Sequence, residues 1–249
     1  MILTIDVGNT FLTFGLFSNG KIRMVENIKT ADLKKKFSLM QSLEIFKNKE
    51  KISHVIVCSV VDEIDKNICK VLSQAKLEFT FLNNIMISKL GIKTLIKGTI
   101  GTDRLVNIFM CLRIFDEPFL IIDLGTATTF DYVNESKIYE GGLIFPGIDV
   151  SLKSLHKYTS KLPIVKFKKN KKVVSNNTND AISSGFYWGY LSMIQGLIVK
   201  IKSEKSTEPK VILTGGNCEY FRDFKIFDLI DKNLTIKSLY SIYKNIIKK

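Results

Sequence analysis

The sequence predicts an α/β fold made of two similar halves, and three observations carry this prediction. Hydrophobic residues make up 45% of the 249 residues, which is enough apolar chain to form a substantial buried core. Segments typical of strands alternate with segments typical of helices over most of the chain. The segment 3–10 also recurs in outline at 121–128, close to half a chain length later. Two α/β halves imply a cleft between them, where ligands favour the ends of strands.

The repeat places the same residue types after the first strand of each half, since Asp6 and Gly8 align with Asp123 and Gly125. Each copy is an apolar run ending in Asp-x-Gly, followed by a hydroxyl-rich turn and a second β-rich run. Glycine allows the backbone of such a turn to approach a ligand closely. Two hairpins can resemble each other by chance, but a carboxylate at the end of an apolar strand is costly without a purpose. We therefore interpret the repeat as a pair of functional turns.

The first half, 1–116, is predicted to begin with three strands and to continue with alternating helices and strands. The predicted strands lie at 2–7, 11–18, 21–28, 53–60 and 77–82, and the predicted helices at 31–47, 62–75 and 101–114. Its β-branched residues make 53–60 a buried strand, whereas Gly91 and Gly98 predict irregular structure over 83–100. Thr102 or Asp103 suits the N-terminus of the last helix.

The second half, 117–249, is predicted to repeat this order. The predicted strands lie at 119–124, 127–133, 137–145, 210–214 and 226–230, and the predicted helices at 149–158, 178–203 and 235–247, with a short helix after Gly216. Pro146 and Gly147 end the third of these strands. Thr178 is predicted to cap the long helix, and the lysine-rich stretch 161–175 to form an exposed loop.

The charge of the chain does not predict a nucleic-acid-binding protein. The formal net charge is +13, but 33 of the 37 basic residues are lysines spread over most of the sequence. Nucleic-acid-binding surfaces favour arginine and gather basic residues on one face, so no specific nucleic-acid binding is predicted.

The mean hydropathy of the chain is only slightly positive. No uncharged apolar run approaches the roughly 18–20 residues of a membrane span, and the first residues do not resemble a signal peptide. We therefore expect a cytoplasmic protein without membrane association.

The cysteines do not form a metal-binding pattern. The chain has four cysteines without CxxC spacing and two histidines, so a zinc site is not expected. Cys58 and Cys111 lie in apolar stretches, where cysteine behaves as a small buried hydrophobic residue. Reduced thiols fit the cytoplasm.

Three glycine turns that follow predicted strands are candidate phosphate-binding sites. They begin at Asp6, at Asp123 and at Thr214, and the last contains Gly215 and Gly216. None is a P-loop or a GxGxxG dinucleotide motif, but short turns with free N–H groups bind anions. The two carboxylates can hold a hard cation that meets a phosphate. Two such turns facing each other would hold a nucleoside triphosphate from both sides, while the third would admit a base or ribose.

The segment 101–104, Gly-Thr-Asp-Arg, is a candidate catalytic motif. Phosphoryl transfer needs a carboxylate that accepts the proton of an attacking hydroxyl and cationic groups that stabilise the developing charge. Asp103 and Arg104 side by side at the start of a helix supply both. The alternative is an N-cap aspartate followed by a surface arginine.

Taken together, these motifs make the chain resemble type III pantothenate kinases, members of the superfamily of acetate kinase, sugar kinases, Hsp70 and actin. The resemblance covers nearly the whole chain, and the order and spacing of the motifs make it specific. The motifs are the segments 6–10, 101–104, 123–129 and 141–147, the pair Leu162-Pro163, the residues Thr178, Ala181, Ile182 and Gly185, and the turn 214–216.

The resemblance implies two ribonuclease-H-like domains and ATP-dependent phosphorylation of pantothenate to 4'-phosphopantothenate, the first step towards coenzyme A. It implies a first phosphate loop formed by Asp6, Val7, Gly8, Asn9, Thr10, Phe11, Leu12 and Thr13. In this interpretation Asp6 lies near magnesium and Thr126 contacts ATP. Asp123 holds a monovalent cation, potassium or ammonium.

The resemblance also assigns the acceptor side of the reaction. Asp103 is the implied proton acceptor, with Gly101, Thr102 and Arg104 beside pantothenate. The implied assembly is a homodimer, in which Thr178 reaches the substrate across the interface. His156 falls in the same region and is a weaker candidate.

One departure from the family pattern bears on the acceptor. Family members usually have a tyrosine nine residues before the catalytic aspartate and an Asn-Pro pair shortly after that tyrosine. This chain has Thr94 at that spacing, and no tyrosine between 83 and 131. A kinase with another hydroxyl acceptor, or a non-catalytic regulatory relative, is therefore kept as an alternative. A basic nucleic-acid-binding module is the weakest alternative.

Overall fold

The structure, a computed structural model, describes residues 1–35, 51–82 and 90–247. Its strands are β1 Ile2–Val7, β2 Phe11–Ser18, β3 Lys21–Lys29, β4 His54–Ser59, β5 Phe79–Phe81, β6 Lys93–Thr94, β7 Phe119–Leu124, β8 Ala127–Val133, β9 Ile138–Pro146, β10 Lys210–Thr214 and β11 Leu229–Ile230. Its α-helices are α1 Thr30–Lys35, α2 Asp62–Gln74, α3 Thr102–Ile114, α4 Ile148–Lys157, α5 Thr178–Lys205 and α6 Leu234–Ile242. A short 3₁₀ helix spans Cys218–Phe221, and a π-helical segment, Tyr243–Ile247, follows α6.

The chain divides into two compact units. The first comprises Met1–Ile114 together with Asn233–Lys249, and the second comprises Phe115–Lys232. The sequence places the division at 116/117 and the C-terminal segment in the second half. In the structure α6 instead packs in the first unit, because its buried face, including Ile236 and Leu239, joins the apolar core there.

The first unit is built on a sheet with the strand order β3-β2-β1-β4-β5. β1 runs antiparallel to β2 and parallel to β4. Both faces of β1 are covered, since Leu3 and Ile5 on one face and Thr4 on the other are fully buried. Helix α2 contributes Ile64 and Ile68, one turn apart, to the core on the Leu3 face. This packing fixes the ends of β1 and β4, where Asp6 and Cys58 are Cα partners in the ladder.

The second unit repeats this topology. Its strands run in the order β9-β8-β7-β10-β11, with β7 antiparallel to β8 and parallel to β10. Each strand thus has a counterpart of the same position and direction in the first unit, which confirms the predicted duplicated α/β fold. Helix α5 packs on this sheet through Tyr187, Leu191, Ile194 and Ile198, a spacing that places all four on one helix face.

Three details of the predicted secondary structure need correction. Asn177, and not Thr178, caps α5, because its side-chain oxygen accepts a hydrogen bond of 2.9 Å from the backbone N–H of Asp180. The segment 83–100 contains the short strand β6, and the predicted strand 226–230 is reduced to β11. Of the predicted helix 31–47, only the part up to residue 35 lies within the described residues, and residues 83–89 also lie outside them.

Candidate functional site

The turn after β1 is closed by its own backbone and clamped by a residue from the next connection. The Gly8 N–H donates to the Phe11 carbonyl at 3.0 Å. Thr30, which is buried, donates its hydroxyl to the Gly8 carbonyl at 2.7 Å and its N–H to the Thr10 carbonyl at 2.9 Å. These three bonds satisfy the carbonyls on one side of the turn and fix its shape. Thr30 was missed by the sequence analysis, where a lone threonine at a strand–helix junction gave no motif.

The predicted first phosphate loop divides into side chains that reach the surface and side chains that belong to the core. Asn9 and Phe11 are exposed, with Phe11 at 45%, whereas Val7 and Leu12 are fully buried. Asp6, Gly8, Thr10 and Thr13 are partly exposed. Val7 and Leu12 can therefore contribute only backbone groups to a ligand. The exposed tip presents the small polar turn that a phosphate requires.

The pKa of the Cys58 thiol is affected by both Asp6 and Asp103. Cys58 is fully buried, and burial is the main reason that its pKa lies well above the ordinary thiol value. The negative charges of Asp6, Asp103 and Asp65 raise the pKa further, in that order of importance. Asp6 is also the Cα partner of Cys58, and the influence of Asp103 on the same thiol indicates that Asp103 lies near this end of the first sheet. The sequence separates these two aspartates by almost a hundred residues.

Asp103 lies in the first turn of α3. Its Oδ1 accepts a hydrogen bond of 2.8 Å from the Arg104 backbone N–H, which orients the carboxylate at the helix start. A Cβ atom on Gly101 would lie 2.6 Å from the same Oδ1. Gly101 therefore leaves the space that the Asp103 carboxylate occupies, and a larger residue there would displace it. Gly101, Thr102, Asp103 and Arg104 are all partly exposed, so the motif is accessible to a ligand.

The turn after β7 is packed against two glycines of neighbouring segments. Gly215 follows β10 with φ +89°, and a Cβ atom there would lie 2.4 Å from Oδ1 of Asp123. Gly147 donates its N–H to the Thr126 carbonyl at 2.9 Å, and a Cβ on Gly147 would lie 2.3 Å from the Gly125 carbonyl oxygen. Both close approaches exclude any side chain. The first places the turn after β10, and the second the end of β9, against the β7 turn at one edge of the second sheet, where Thr214 is the Cα partner of Asp123.

The buried Cys218 lies next to this edge, since its N–H donates to the Gly215 carbonyl at 3.2 Å. Burial raises the pKa of Cys218 to about 12, and the negative charges of Glu219, Asp123 and Asp231 contribute to the shift. The Lys232 ammonium opposes it only in part. The carboxylates of Asp123 and Asp231 and the ammonium of Lys232 therefore all lie near this thiol.

The remaining predicted residues of the second unit lie on exposed segments. Thr178 is the exposed first residue of α5. His156 is exposed near the end of α4 and donates from Nδ1 to the Leu162 carbonyl at 2.7 Å. The structure places neither within hydrogen-bond distance of the Asp123 turn. In the first unit, Thr94 lies exposed in β6, where its hydroxyl accepts a hydrogen bond of 3.0 Å from the Ile96 N–H.

One carboxylate near the first turn has the chemistry of a magnesium ligand. Within residues 1–35, 51–82 and 90–247, no group of three His, Cys, Asp or Glu side chains forms a metal site by itself. Magnesium in nucleotide sites is commonly bound by one or two carboxylates together with substrate phosphates and water. Asp6, beside the exposed turn after β1, fits that pattern.

No helix of the described chain is long and apolar enough to cross a membrane.

Comparisons with known proteins agree with this geometry. A family model for type III pantothenate kinase matches residues 2–200. The type III pantothenate kinase of Persephonella marina is 38% identical over 255 residues, covering 98% of this chain and 98% of that protein.

Two solved structures are similar in fold alone. A Campylobacter jejuni protein described as a Baf family transcriptional activator has a TM-score of 0.63 and 19% identity, covering 99% of this chain and all of that one. A Sinorhizobium meliloti protein described as a 2-dehydro-3-deoxygalactonokinase has a TM-score of 0.59 and 10% identity, covering 99% of this chain and 97% of that one. With the family model and the Persephonella relative both spanning the two turns and the Asp103 motif, the chain belongs to the type III pantothenate kinase family.

Proposed function

We propose that this chain catalyses the ATP-dependent phosphorylation of pantothenate at its primary hydroxyl, which gives 4'-phosphopantothenate. The observation that carries the proposal is the position of Asp103 and Asp6 around the Cys58 thiol, in a chain of this family. Phosphoryl transfer needs a proton acceptor for the attacking hydroxyl and a cation near the moving phosphoryl group. Asp103 supplies the first, and Asp6 would hold the second. We expect the enzyme to act in the cytoplasm, at the first step of coenzyme A biosynthesis.

Asp103 is the general base in this mechanism. Its carboxylate accepts the proton of the pantothenate hydroxyl as the new O–P bond forms and the bond to ADP breaks. Arg104 stabilises negative charge on the acceptor side, and Gly101 and Thr102 border the bound pantothenate. The hydrogen bond from the Arg104 backbone N–H to Oδ1 of Asp103 holds the carboxylate in a fixed direction. This orientation lowers the entropic cost of reaching the transition state.

ATP binding is assigned to the two duplicated turns. The exposed tip of the first turn, Gly8 to Phe11, provides backbone N–H groups and small polar side chains for the phosphates, and Asp6 would hold magnesium. Thr126 of the second unit contacts ATP. Magnesium would neutralise charge on the phosphates, while the protein groups determine its place.

A monovalent cation, potassium or ammonium, is assigned to Asp123. The support is the Asp123 carboxylate at the end of β7 and the close approach of the Gly215 backbone to it. Large, weakly hydrated cations are bound by carboxylate and carbonyl oxygens. The Gly125 and Thr126 carbonyls border the same turn.

The proposed assembly is a homodimer, formed through an apolar face of the second unit. A groove of about 430 Å³ runs along α5, and its walls are almost entirely apolar. The groove is lined by Phe145, Pro146, Leu155, Ala181, Ile182, Gly185, Phe186, Gly189, Tyr190 and Met193. On the adjoining strand Ile144 is 64% exposed. An apolar face of this kind is typical of a subunit interface, and it lies on the helix that begins with Thr178.

The test is ADP release measured with ATP and a panel of hydroxyl acceptors that includes pantothenate. We expect ADP release to depend on pantothenate and to disappear in Asp103→Asn. A different preferred acceptor would contradict pantothenate while retaining the kinase, and the loss of the family tyrosine at Thr94 is the specific reason to include other acceptors. ADP release that no acceptor stimulates would contradict the proposal.

A further inference from the structure

A cavity of the first unit lies apart from the residues assigned to the reaction. It has a volume of about 650 Å³ and is bordered by the turn between β2 and β3, by the end of α3, and by α6 with the segment that follows it. Sites for small molecules typically have volumes of about 300–1,000 Å³. Arg113 borders this cavity from the last turn of α3, roughly 15 Å along the helix axis from Asp103 in the first turn. The cavity is therefore separate from the acceptor motif.

Basic residues from three segments converge on this cavity. Four of its eleven lining residues are basic, against 37 of 249 in the whole chain, and these four are Lys21, Arg113, Lys237 and Lys244. Within the part of the chain that the structure describes, no aspartate or glutamate lines the cavity, and no carboxylate pairs with Lys21, Arg113 or Lys244. Exposed lysines of a basic chain are usually solvated one by one. Cations that converge on one concave site without counter-charges instead favour an anionic ligand.

Arg113 is held at the cavity by uncharged groups. Its Nη2 donates to Oδ1 of Asn245 at 3.1 Å, and Asn245 donates from Nδ2 to the Ser241 carbonyl at 2.6 Å. The guanidinium carbon also lies 5.6 Å from the centroid of the Phe109 ring. An arginine in the last turn of a helix interacts favourably with the helix dipole, but that role needs no partner from the C-terminal segment. The contacts orient the guanidinium without neutralising it, so its other N–H groups can bind a phosphate in a bidentate manner.

The turn between β2 and β3 determines the position of Lys21. Asn19 and Gly20 both have positive φ, +50° and +80°, as a two-residue type I′ turn requires. Lys21 is the Cα partner of Ser18, so it follows this tight turn directly. The Asn-Gly pair therefore fixes the end of the hairpin and with it the basic residue that the hairpin contributes to the cavity.

The cavity also has an apolar wall. The Tyr240 ring stacks on the buried Phe17 ring, with centroids 4.5 Å apart and an angle of 8° between the planes. Ile22 packs against the same cluster, and Met110 borders the cavity from α3. Because Tyr240 is held by Phe17 and is only partly buried, its ring gives the cavity a rigid apolar surface. An inorganic anion alone would leave this surface unused.

We propose that this cavity binds an organic phosphate, a phosphorylated small molecule whose apolar group is about the size of one aromatic ring. The phosphate binds Arg113 together with Lys21 and Lys244, and the apolar group packs on Tyr240. The ligand then connects the hairpin, the end of α3 and the C-terminal segment, and it stabilises the folded chain because the unfolded chain has no such site. The proposal is independent of the pantothenate reaction, since none of the residues assigned to ATP or pantothenate lines the cavity.

The test is isothermal titration calorimetry of the full chain with phenyl phosphate as the probe. Inorganic phosphate and phenol are the comparison compounds, because each carries only one of the two groups. We expect phenyl phosphate to bind more tightly than either. We expect its Kd to rise at least about tenfold in Arg113→Gln, because charge-assisted hydrogen bonds are lost. A rise is also expected in Lys244→Gln.

Lys70→Gln is the matched control. It removes the same charge from an exposed position of α2. Helix α2 packs on the Leu3 face of the first sheet, whereas Tyr240 packs with Ile2, whose side chain lies on the other face. We expect Lys70→Gln to bind phenyl phosphate with the parental affinity.

Three results would overturn the site. The first is a parent that does not bind phenyl phosphate, or binds it no more tightly than inorganic phosphate. The second is parental affinity in both Arg113→Gln and Lys244→Gln, which would place the probe elsewhere. The third is equal weakening by Lys70→Gln and Lys244→Gln, which would indicate general attraction to a basic chain. Melting curves check the folding of each variant, and Lys244, which is exposed, keeps the test decisive if Arg113→Gln does not fold.

Discussion

Asp103→Asn is the substitution that separates catalysis from helix capping most clearly. Asp103 accepts the Arg104 N–H at 2.8 Å in the first turn of α3. Asparagine keeps the size of the side chain and an oxygen that can accept the same bond. What it removes is the negative charge and with it the ability to take a proton. The variant therefore changes one property of the site.

The expected effects on stability and on rate differ in size. Loss of a negative charge at a helix N-terminus costs about 0.3–1 kcal/mol of stability. Loss of a general base typically lowers the rate by about 10²–10⁴-fold, which corresponds to roughly 2.7–5.5 kcal/mol in the activation barrier. The rate effect thus exceeds the stability effect by several fold. If Asp103 were only a cap, the stability change would be the larger observation and turnover would remain near parental.

The assay is steady-state ADP release at saturating ATP, with pantothenate varied, for the parent and Asp103→Asn. We expect kcat to fall at least about 100-fold and the KM for ATP to stay near the parental value, since the nucleotide is assigned to other residues. Circular dichroism and a melting curve serve as controls for folding. A folded variant with near-parental kcat would refute the assignment of Asp103 as the base.

Four further predictions address the cation site, the interface, a glycine turn and a thiol. Turnover should be higher in potassium or ammonium than in sodium buffers of equal ionic strength, and equal rates would remove the cation from Asp123. Sedimentation should give the mass of a dimer of the 28.3 kDa chain. Gly189 faces open space in the apolar groove, so Gly189→Glu should dissociate the dimer. A monomeric, fully active parent would rule out this interface. Gly215→Ala should impair turnover, because the new Cβ would lie 2.4 Å from the Asp123 carboxylate and the position has φ +89°. The control Gly216→Ala should not impair turnover, because no atom lies within 4 Å of its Cβ. Equal effects of the two substitutions would contradict the close packing of Gly215. The pKa of Cys218 is raised to about 12, so its thiolate fraction at pH 8 should be roughly 10³-fold lower than that of an ordinary thiol of pKa 9. Peptide mapping after brief alkylation should therefore find Cys218 unmodified in the native protein and modified after unfolding. Rapid labelling of Cys218 in the folded chain would contradict this prediction.

The sequence predicts the fold well because its strands carry local signals. The apolar runs at β1 and β7 are bounded by glycine turns, and their hydrophobic character determines where they pair. The duplication is visible for the same reason, since Asp6 and Asp123 occupy the same place in two copies of one pattern. Sheet order confirms it, with β1 and β7 each between an antiparallel and a parallel neighbour.

What the sequence does not predict depends on contacts between distant segments. Thr30 clamps the Gly8 turn from outside it, and Gly147 packs against Thr126 across a strand pair, so neither role has a local signature. The cap of α5 is missed by one residue because Asn177 and Thr178 are both good N-cap residues. The C-terminal helix joins the first unit through buried contacts of Ile236 and Leu239, which helical periodicity alone cannot assign to a partner.

The most direct test of the central claim is identification of the product. The parent enzyme is incubated with ATP, magnesium, potassium and pantothenate, and the acceptor is analysed by mass spectrometry and phosphorus NMR. We predict a single added phosphoryl group on pantothenate, located at its primary hydroxyl, formed in equal amount with ADP and absent in Asp103→Asn. ADP formed with pantothenate left unmodified, or a phosphoryl group at another position, would contradict the account.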